Sequence, residues 1–228
     1  TKTAPAGHVD RQRWAVASCA NWESGFFTAY QDMAARAWAG ELDLTVFLGD
    51  YIYEYAQYEY AGYGPVRLHQ PAHEIVTLAD YRTRYGRYRT DPNLRDAHAA
   101  MPWVVVWDDH EIANNNWRDG ADNHNADEGD FHTRRDAAMR AYYEWMPVRL
   151  TATSDEGHIY RSLRFGDLVE LTIMDLRTYR DKEFWRGGAR QTGDARTMLG
   201  SEQYDWLIDT LERSTATWNA LGNSVMFS

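Results

Sequence analysis

Apolar positions along this chain fall into two patterns. Leu44-Thr45-Val46-Phe47-Leu48 and Trp103-Val104-Val105-Val106-Trp107 are short, nearly continuous apolar runs. Such runs suit strands buried on both faces, as in a parallel sheet with helices on either side. A shorter run over 14–18 predicts another strand, ending at Cys19. Between these runs the apolar period lengthens. Tyr30, Ala34, Ala37 and Trp38 recur at helical spacing and predict a helix over 28–39. Further helices are expected over 78–89 and 93–99, separated by a break at Pro92, and over 130–145, stopping before Pro147. A hairpin is expected from 158–165 and 168–174 across Gly166-Asp167. Ser201 is placed to cap a helix running to about Glu212, and residues 223–228 read as another strand.

The tyrosine-, glycine- and proline-rich stretch 55–76 and the Asn/Asp-rich stretch 114–127 read as long loops. The second lacks the spacing and glycine of an EF-hand loop. Residues 1–10, with Pro5 and Gly7, read as a linker or the trailing edge of another domain. The order strand, helix, strand, helices, strand predicts an α/β layered domain, and the later hairpin a mixed sheet or a second sheet.

Composition narrows the classes of function. The 228 residues suffice for one sizeable core, and apolar residues make up 44%. Twenty-four basic against 34 acidic side chains give a formal net charge of -10, which argues against binding a nucleic-acid backbone and suits gathering carboxylates around cations. No apolar run approaches the roughly 20 residues of a membrane helix. The single cysteine, Cys19, excludes an internal disulfide.

The chemistry concentrates where apolar strands end. In open α/β sheets ligands bind beyond the carboxyl ends of the strands, and Gly49-Asp50-Tyr51-Ile52-Tyr53-Glu54 and Trp107-Asp108-Asp109-His110-Glu111 both lie there. A lone Gly-Asp would more simply be a turn, but Tyr53 follows Asp50 by three residues. A carboxylate can bridge two metals, and a phenol with a pKa of about 10 becomes a ligand once a hard, highly charged ion favours the phenolate. Asp108 and Asp109 repel each other unless a cation compensates them. Asp109 is the favoured ligand, with Asp108 either supporting it or binding another ion. His110 is a candidate to touch a substrate or its leaving group, although a lone histidine is more often structural. Asn115, within Asn114-Asn115-Asn116, could lend a carbonyl oxygen to a metal, though asparagine runs usually form turns. Cys19 is either a small buried apolar group or a thiolate ligand. Asp175 closes a later strand with Arg177 two residues on, which an ordinary salt bridge would explain. Arg67, His69 and His73 are weak candidates for substrate contacts, and the arginines at 82, 84, 87, 89 and 95 are expected on solvated helix faces.

Taken with Ala17-Ser18-Cys19, Gly25-Phe26-Phe27-Thr28-Ala29-Tyr30, Asn114-Asn115 and Met174-Asp175-Leu176-Arg177-Thr178-Tyr179-Arg180, these segments make the chain resemble the alkaline phosphatase D (PhoD-like) family of the metallophosphatase superfamily. The resemblance runs along nearly the whole chain. It implies a phosphomonoesterase or phosphodiesterase with ferric iron and calcium, Fe(III) being held by Cys19, Asp50 and Tyr53. Asp50 would bridge towards Ca2+ held by Asp109 and Asn115. It implies a periplasmic or extracellular setting. The family's amino-terminal β domain is matched only by the first few residues, and its later Gly-Asp-x-His type segment has no counterpart here. Residues 11–228 are therefore expected to be the amino-terminal part of a catalytic domain, completed by a missing carboxyl-terminal half or a partner chain.

The resulting expectation is a metal-dependent phosphoesterase acting on small-molecule or phospholipid-type phosphoesters through a metal-activated hydroxide, with His110, Asp109 and Asp50 catalytic and Asp108 among the metal-site residues. A diesterase or phospholipase with little monoesterase activity is the nearest alternative. A non-catalytic metal-binding fragment is the alternative from another class.

Overall fold

The computed structural model describes residues 3–149, 157–183, 185–186, 189–190 and 196–225. Strand β1 (Trp14–Ala17) leads into helix α1 (Thr28–Trp38), and β2 (Leu44–Leu48) into α2 (Leu78–Tyr88) and α3 (Pro92–Ala100). Strand β3 (Trp103–Val106) and helix α4 (Phe131–Trp145) follow. Strands β4 (Arg161–Phe165) and β5 (Val169–Ile173), a short ribbon of β6 (Trp185–Arg186) and β7 (Ala189–Arg190), helix α5 (Gly200–Arg213) and β8 (Trp218–Gly222) complete the order.

The expected parallel sheet is present, ordered β1-β2-β3, with Val46 opposite both Val16 and Val104. Every residue of β3 is buried, as are Leu44 to Phe47 of β2, so the continuous apolar runs report a sheet covered on both faces. Each fully buried Phe or Val there contributes on the order of 1.5–3 kcal/mol relative to exposure. The second sheet is mixed: β5 pairs antiparallel with β4 and parallel with β8. Both sheets share one apolar core, in which Trp14 lies 5.2 Å from Phe165.

Several local expectations are corrected. Pro92 does not break a helix; it is the first residue of α3, where the missing N–H is no loss, and Asp91 caps the turn by accepting from Leu94 N–H at 3.0 Å. Ser201 is not the cap of α5. That helix begins at Gly200, and the Thr197 hydroxyl accepts from the Leu199 and Gly200 amides. The last described strand is 218–222, whereas residues 223–225 lie beyond it and the remainder of the expected 223–228 strand lies outside the described residues. Residues 5–9 dock on the β4–β5 turn: Gly166 and Asp167 donate to the Pro5 and Gly7 carbonyls, and His8 pairs with Asp167 at 2.9 Å.

Arg84 is not on a solvated face. It is wholly buried and donates to the carbonyls of Tyr53, Tyr55, Gln70, Pro71 and His73. A guanidinium offers five N–H donors in a planar fork, so one side chain satisfies a loop that crosses the core without a ladder of its own. Arg134 ties the end of that loop to the second one, donating to Glu74, Ile75 O, the Tyr81 hydroxyl and Asn123 O. The loop residues offered as substrate contacts are likewise engaged in the fold. Arg67 pairs with Asp91 at 2.5 Å and lies over the Trp22 ring, His69 is buried, and His73 meets Asp80.

Burial lowers the pKa of His98 to about 3, helped by the nearby charge of Arg89; His69 falls to about 3 through burial and then Arg84, Arg67 and Arg87. Both fold neutral. Unfolded, they titrate near 6.5, so the stability they lend is full above that pH and is lost as the pH falls towards about 3, where the unfolded chain binds protons the fold refuses. Replacing His98 by Gln should remove one of these protons and flatten the decline in urea midpoint between about pH 6.5 and 4 relative to the parent protein. Parallel pH curves would show that His98 is not the neutral group.

Candidate metal centre

The carboxyl ends of the three parallel strands turn towards one another. Beyond β1, Cys19 N–H donates to Gly49 O at 3.2 Å and Ala20 N–H to Asp50 O at 2.8 Å, which carries the β1–β2 pairing into the loops. Gly49 has φ +90°, and a Cβ there would lie 2.4 Å from both the backbone nitrogen and the Cβ of Asp108. Glycine is therefore required both by conformation and by space. Beneath this contact lies the buried Glu111 carboxylate, which accepts from the amides of Asp50 (3.0 Å), Tyr51 (2.5 Å) and Asp108 (2.7 Å). Burial and the Asp50 charge push its pKa up to about 8, against the pull of those amides.

Upon this frame the predicted residues converge. Asp50, Asp109 and His110 are buried and each offers a ligand atom within 4.8 Å of the others. Cys19 Sγ lies 3.4 Å from Asp50 Oδ2, and the Tyr53 hydroxyl donates to that same oxygen at 3.3 Å. Asn115 N–H donates to Asp109 at 2.7 Å, while its side-chain amide turns to Asp122. Asp108 stands apart. Its two oxygens accept from Arg177 Nε (2.6 Å) and NH2 (2.9 Å), and one also accepts from Ser224 Oγ. That bidentate pairing favours its supporting role. The cation that compensates the adjacent aspartates is thus partly the chain's own: Arg177 NH2 also lies 3.3 Å from Asp109. Asp175 proves to organise the turn, accepting from the Arg177 and Thr178 amides, rather than pairing with the guanidinium.

Sequence reasoning assigned no role to Glu54, Glu111 or Asn123. Glu54 is fully buried; one oxygen accepts from His110 Nδ1 at 2.7 Å, and the other from Asn114 N–H and Asn123 Nδ2. It leaves the far imidazole nitrogen of His110 as the one available to the cluster. The available signal was an acidic residue embedded in each aromatic or apolar segment, Tyr53-Glu54-Tyr55 and His110-Glu111-Ile112.

The electrostatics are those of a donor set crowded without a counterion. Burial, then Asp109 and Asp108, raise Asp50 to about 6, although His110 opposes this. Tyr53 is pushed far up by burial, Asp50 and Cys19, and Cys19 is raised by partial burial and Asp50 against the pull of Ser18. His110, despite burial, is raised to about 9 by Glu54, Asp109 and Asp50. Asp109 is lowered in spite of burial, chiefly by Arg177 and His110. Asp50 Oδ1 is buried without a hydrogen-bond partner among the described residues. Cys19, Asp50 and Asn115 are three of the five non-glycine residues with positive φ among the described residues. Such strain costs on the order of 1–3 kcal/mol each and gathers at functional sites. An orphaned carboxylate oxygen with a second carboxylate and an imidazole in reach, and a phenol and a thiol on the first carboxylate's other oxygen, make a donor set that fits a highly charged cation.

A family model described as PhoD-like phosphatase matches residues 14–228. Alkaline phosphatase D of Bacillus subtilis (strain 168) is 43% identical over 238 residues, covering 100% of this chain and 40% of that protein. A solved structure of PhoD superposes with a TM-score of 0.83 at 41% identity, covering 96% of this chain and 43% of that one. The chain thus spans less than half the length of these relatives.

Glu111→Gln should destabilise the metal-free protein. The new amide turns a donor towards the cluster of backbone donors, and one unsatisfied buried amide costs about 1–3 kcal/mol. Chemical denaturation in the presence of a chelator measures this. An unchanged midpoint would show that the strand-end amides find other acceptors.

Proposed function

Because the chain belongs to the PhoD-like phosphatase family, we propose that it supplies the Cys19, Asp50, Tyr53, Asp109, His110 and Asn115 side of a metal-dependent phosphoesterase centre. The observation that carries this reading is the convergence of Asp50, Asp109 and His110 within 4.8 Å, with Cys19 and Tyr53 both on Asp50. Residues 11–228 are read as the amino-terminal part of a catalytic domain, a reading supported by the 40% and 43% coverage of the relatives. The family resemblance supports a pair of cations, Fe(III), which Cys19, Asp50 and Tyr53 would hold, and Ca2+, which Asp109 and Asn115 would hold beside Asp50. The resemblance also supports a periplasmic or extracellular setting, and among the described residues no helix is long and apolar enough to cross a membrane.

Bound there, hard cations polarise phosphoryl oxygens and acidify water. The protein's own contribution is orientation and charge. Asp50 presents an oxygen already free of other partners. Glu54 holds the His110 ring and favours its protonated form, which suits a donor to a phosphoryl or leaving-group oxygen. Arg177, itself held by Asp108, lies directly against Asp109 and favours its ionised form. The burial of Asp50, Asp109 and His110 strengthens each of these interactions.

In the intact protein that carries this chain, Asp50→Asn should remove most metal, read by elemental analysis. It should lower hydrolysis of p-nitrophenyl phosphate and bis(p-nitrophenyl) phosphate far more than it lowers the melting temperature. Tyr53→Phe should shift or abolish a visible tyrosinate–iron band while leaving the fold intact. Full metal content and unchanged turnover in Asp50→Asn would overturn the assignment, and metal retention without hydrolysis by the parent protein would favour a binding role. Glu54→Gln should lower turnover by about 10²-fold, the lower end of what a positioned proton donor contributes, by freeing the His110 ring and weakening its hold on the proton, with metal content retained.

A further inference from the structure

The open side of the site is aromatic. Tyr53 stacks on His110 with ring centroids 4.3 Å apart and Tyr60 stacks on Tyr53 at 5.5 Å. Tyr55 stacks on Tyr60 at 4.7 Å, and the Tyr55 and Tyr60 rings lie 5.5 and 5.6 Å from His110. This array runs from the Asp50 carboxylate, which accepts from Tyr53, outwards to solvent. Tyr60 is 48% exposed, Tyr58 beside it 66%, and Tyr63 wholly exposed. Metal coordination requires none of these outer rings, and a core would have buried them.

The backbone that carries these rings is held in position. Buried Glu23 accepts from the amides of Tyr58 (3.0 Å) and His69 (3.2 Å), and its carbonyl accepts from Val66. Asn21 Nδ2 donates to the Tyr60 carbonyl at 2.7 Å, and Gln57 is tied to Ala72 and His69. Arg84 fixes the Tyr53 and Tyr55 carbonyls from below. The loop backbone is therefore ordered, and the Tyr53, Tyr55 and Tyr60 rings are stacked on one another, so little of a ligand's contact energy is spent on ordering this segment. Tyrosine supplies large, rigid contact area at low entropic cost.

We propose that Tyr55 and Tyr60 form a subsite for a planar aromatic group esterified to the phosphoryl centre, such as an aryl or nucleobase-bearing substituent. This rests on the phosphoesterase reading of the adjacent site and names its substrate class. A phosphoryl group seated at Asp50, Asp109 and His110 has its ester oxygen beside rings whose centroids are within 5.6 Å of the imidazole. A flat ring on that oxygen meets these tyrosines in offset or edge-to-face contact, whereas a small alkyl group leaves them solvated.

The test measures binding of phenylphosphonate and methylphosphonate to the metal-loaded intact protein by calorimetry, together with kcat/KM for p-nitrophenyl phosphate and glycerol phosphate. The parent should prefer the phenyl ligand. Tyr60→Ala should reduce the phenyl-to-methyl affinity ratio by roughly two- to tenfold, the range one aromatic pair supplies beyond buried area. Tyr60→Phe should retain the ratio, and Tyr60→Leu, which keeps volume if Tyr60→Ala folds poorly, should reduce it. No phenyl preference in the parent, or equal weakening of both ligands in the Ala and Leu variants, would overturn the proposal and make the array a packing surface. Failure of the phosphoesterase reading shows separately, as absence of turnover on every ester in the parent. The affinity ratio then still decides whether the tyrosines bind the ring.

Discussion

Everything in the candidate site depends on one buried carboxylate. Glu111 gathers the amides of Asp50, Tyr51 and Asp108, which belong to loops leaving two different strands. Those donors sit where the parallel ladder has ended and no strand remains to accept them, and leaving them unpaired in the core would be costly. One side chain satisfies all of them. In doing so it sets the separation of Asp50 from Asp108 and Asp109, and hence the size of the space their carboxylates share.

A second constraint follows from packing so many acids together. Adjacent Asp108 and Asp109 are made tolerable by Arg177, which the later Asp175 turn delivers to them. The two sheets are therefore coupled through the site: one contributes the carboxylates, the segment after β5 the guanidinium. Arg177 leaves Asp50, Tyr53 and Cys19 without an equivalent partner, and burial pushes them towards their protonated forms; burial raises Asp108 as well, in spite of its guanidinium, and only Asp109 is lowered. An added cation would favour the charged form of each raised donor beside it.

Much of this was legible in the sequence, for identifiable reasons. A strand covered on both faces must be apolar throughout, so β2 and β3 announce themselves, and the residues following them fall at the ligand-binding edge of the sheet. Asp50, Tyr53, Asp109 and His110 could be found from that rule. Charged residues that work inside the core could not. Arg84 and Arg134 sit among polar neighbours on helices with ordinary amphipathic spacing, and no local pattern separates an arginine facing water from one that holds a loop's carbonyls. Glu54 and Glu111 occupy the motifs themselves, yet their partners are backbone amides and a histidine up to 61 residues away. The cap of α5 was misplaced because Thr197, upstream of the helix, accepts the first amides, and β8 was missed because its exposed Trp218 and Leu221 disguise a strand paired along β5.

The contact between Gly49 and Asp108 has a consequence for how such a protein can be rebuilt. With space for no Cβ at residue 49, the backbones following β2 and β3 touch directly. Neither segment is a cassette. A designer who grafts the Asp50 loop from one relative onto the Asp109 loop of another transfers half of a fitted surface, and small differences in either backbone are felt immediately by the other. The natural unit of exchange is the pair of loops together with the glutamate beneath them.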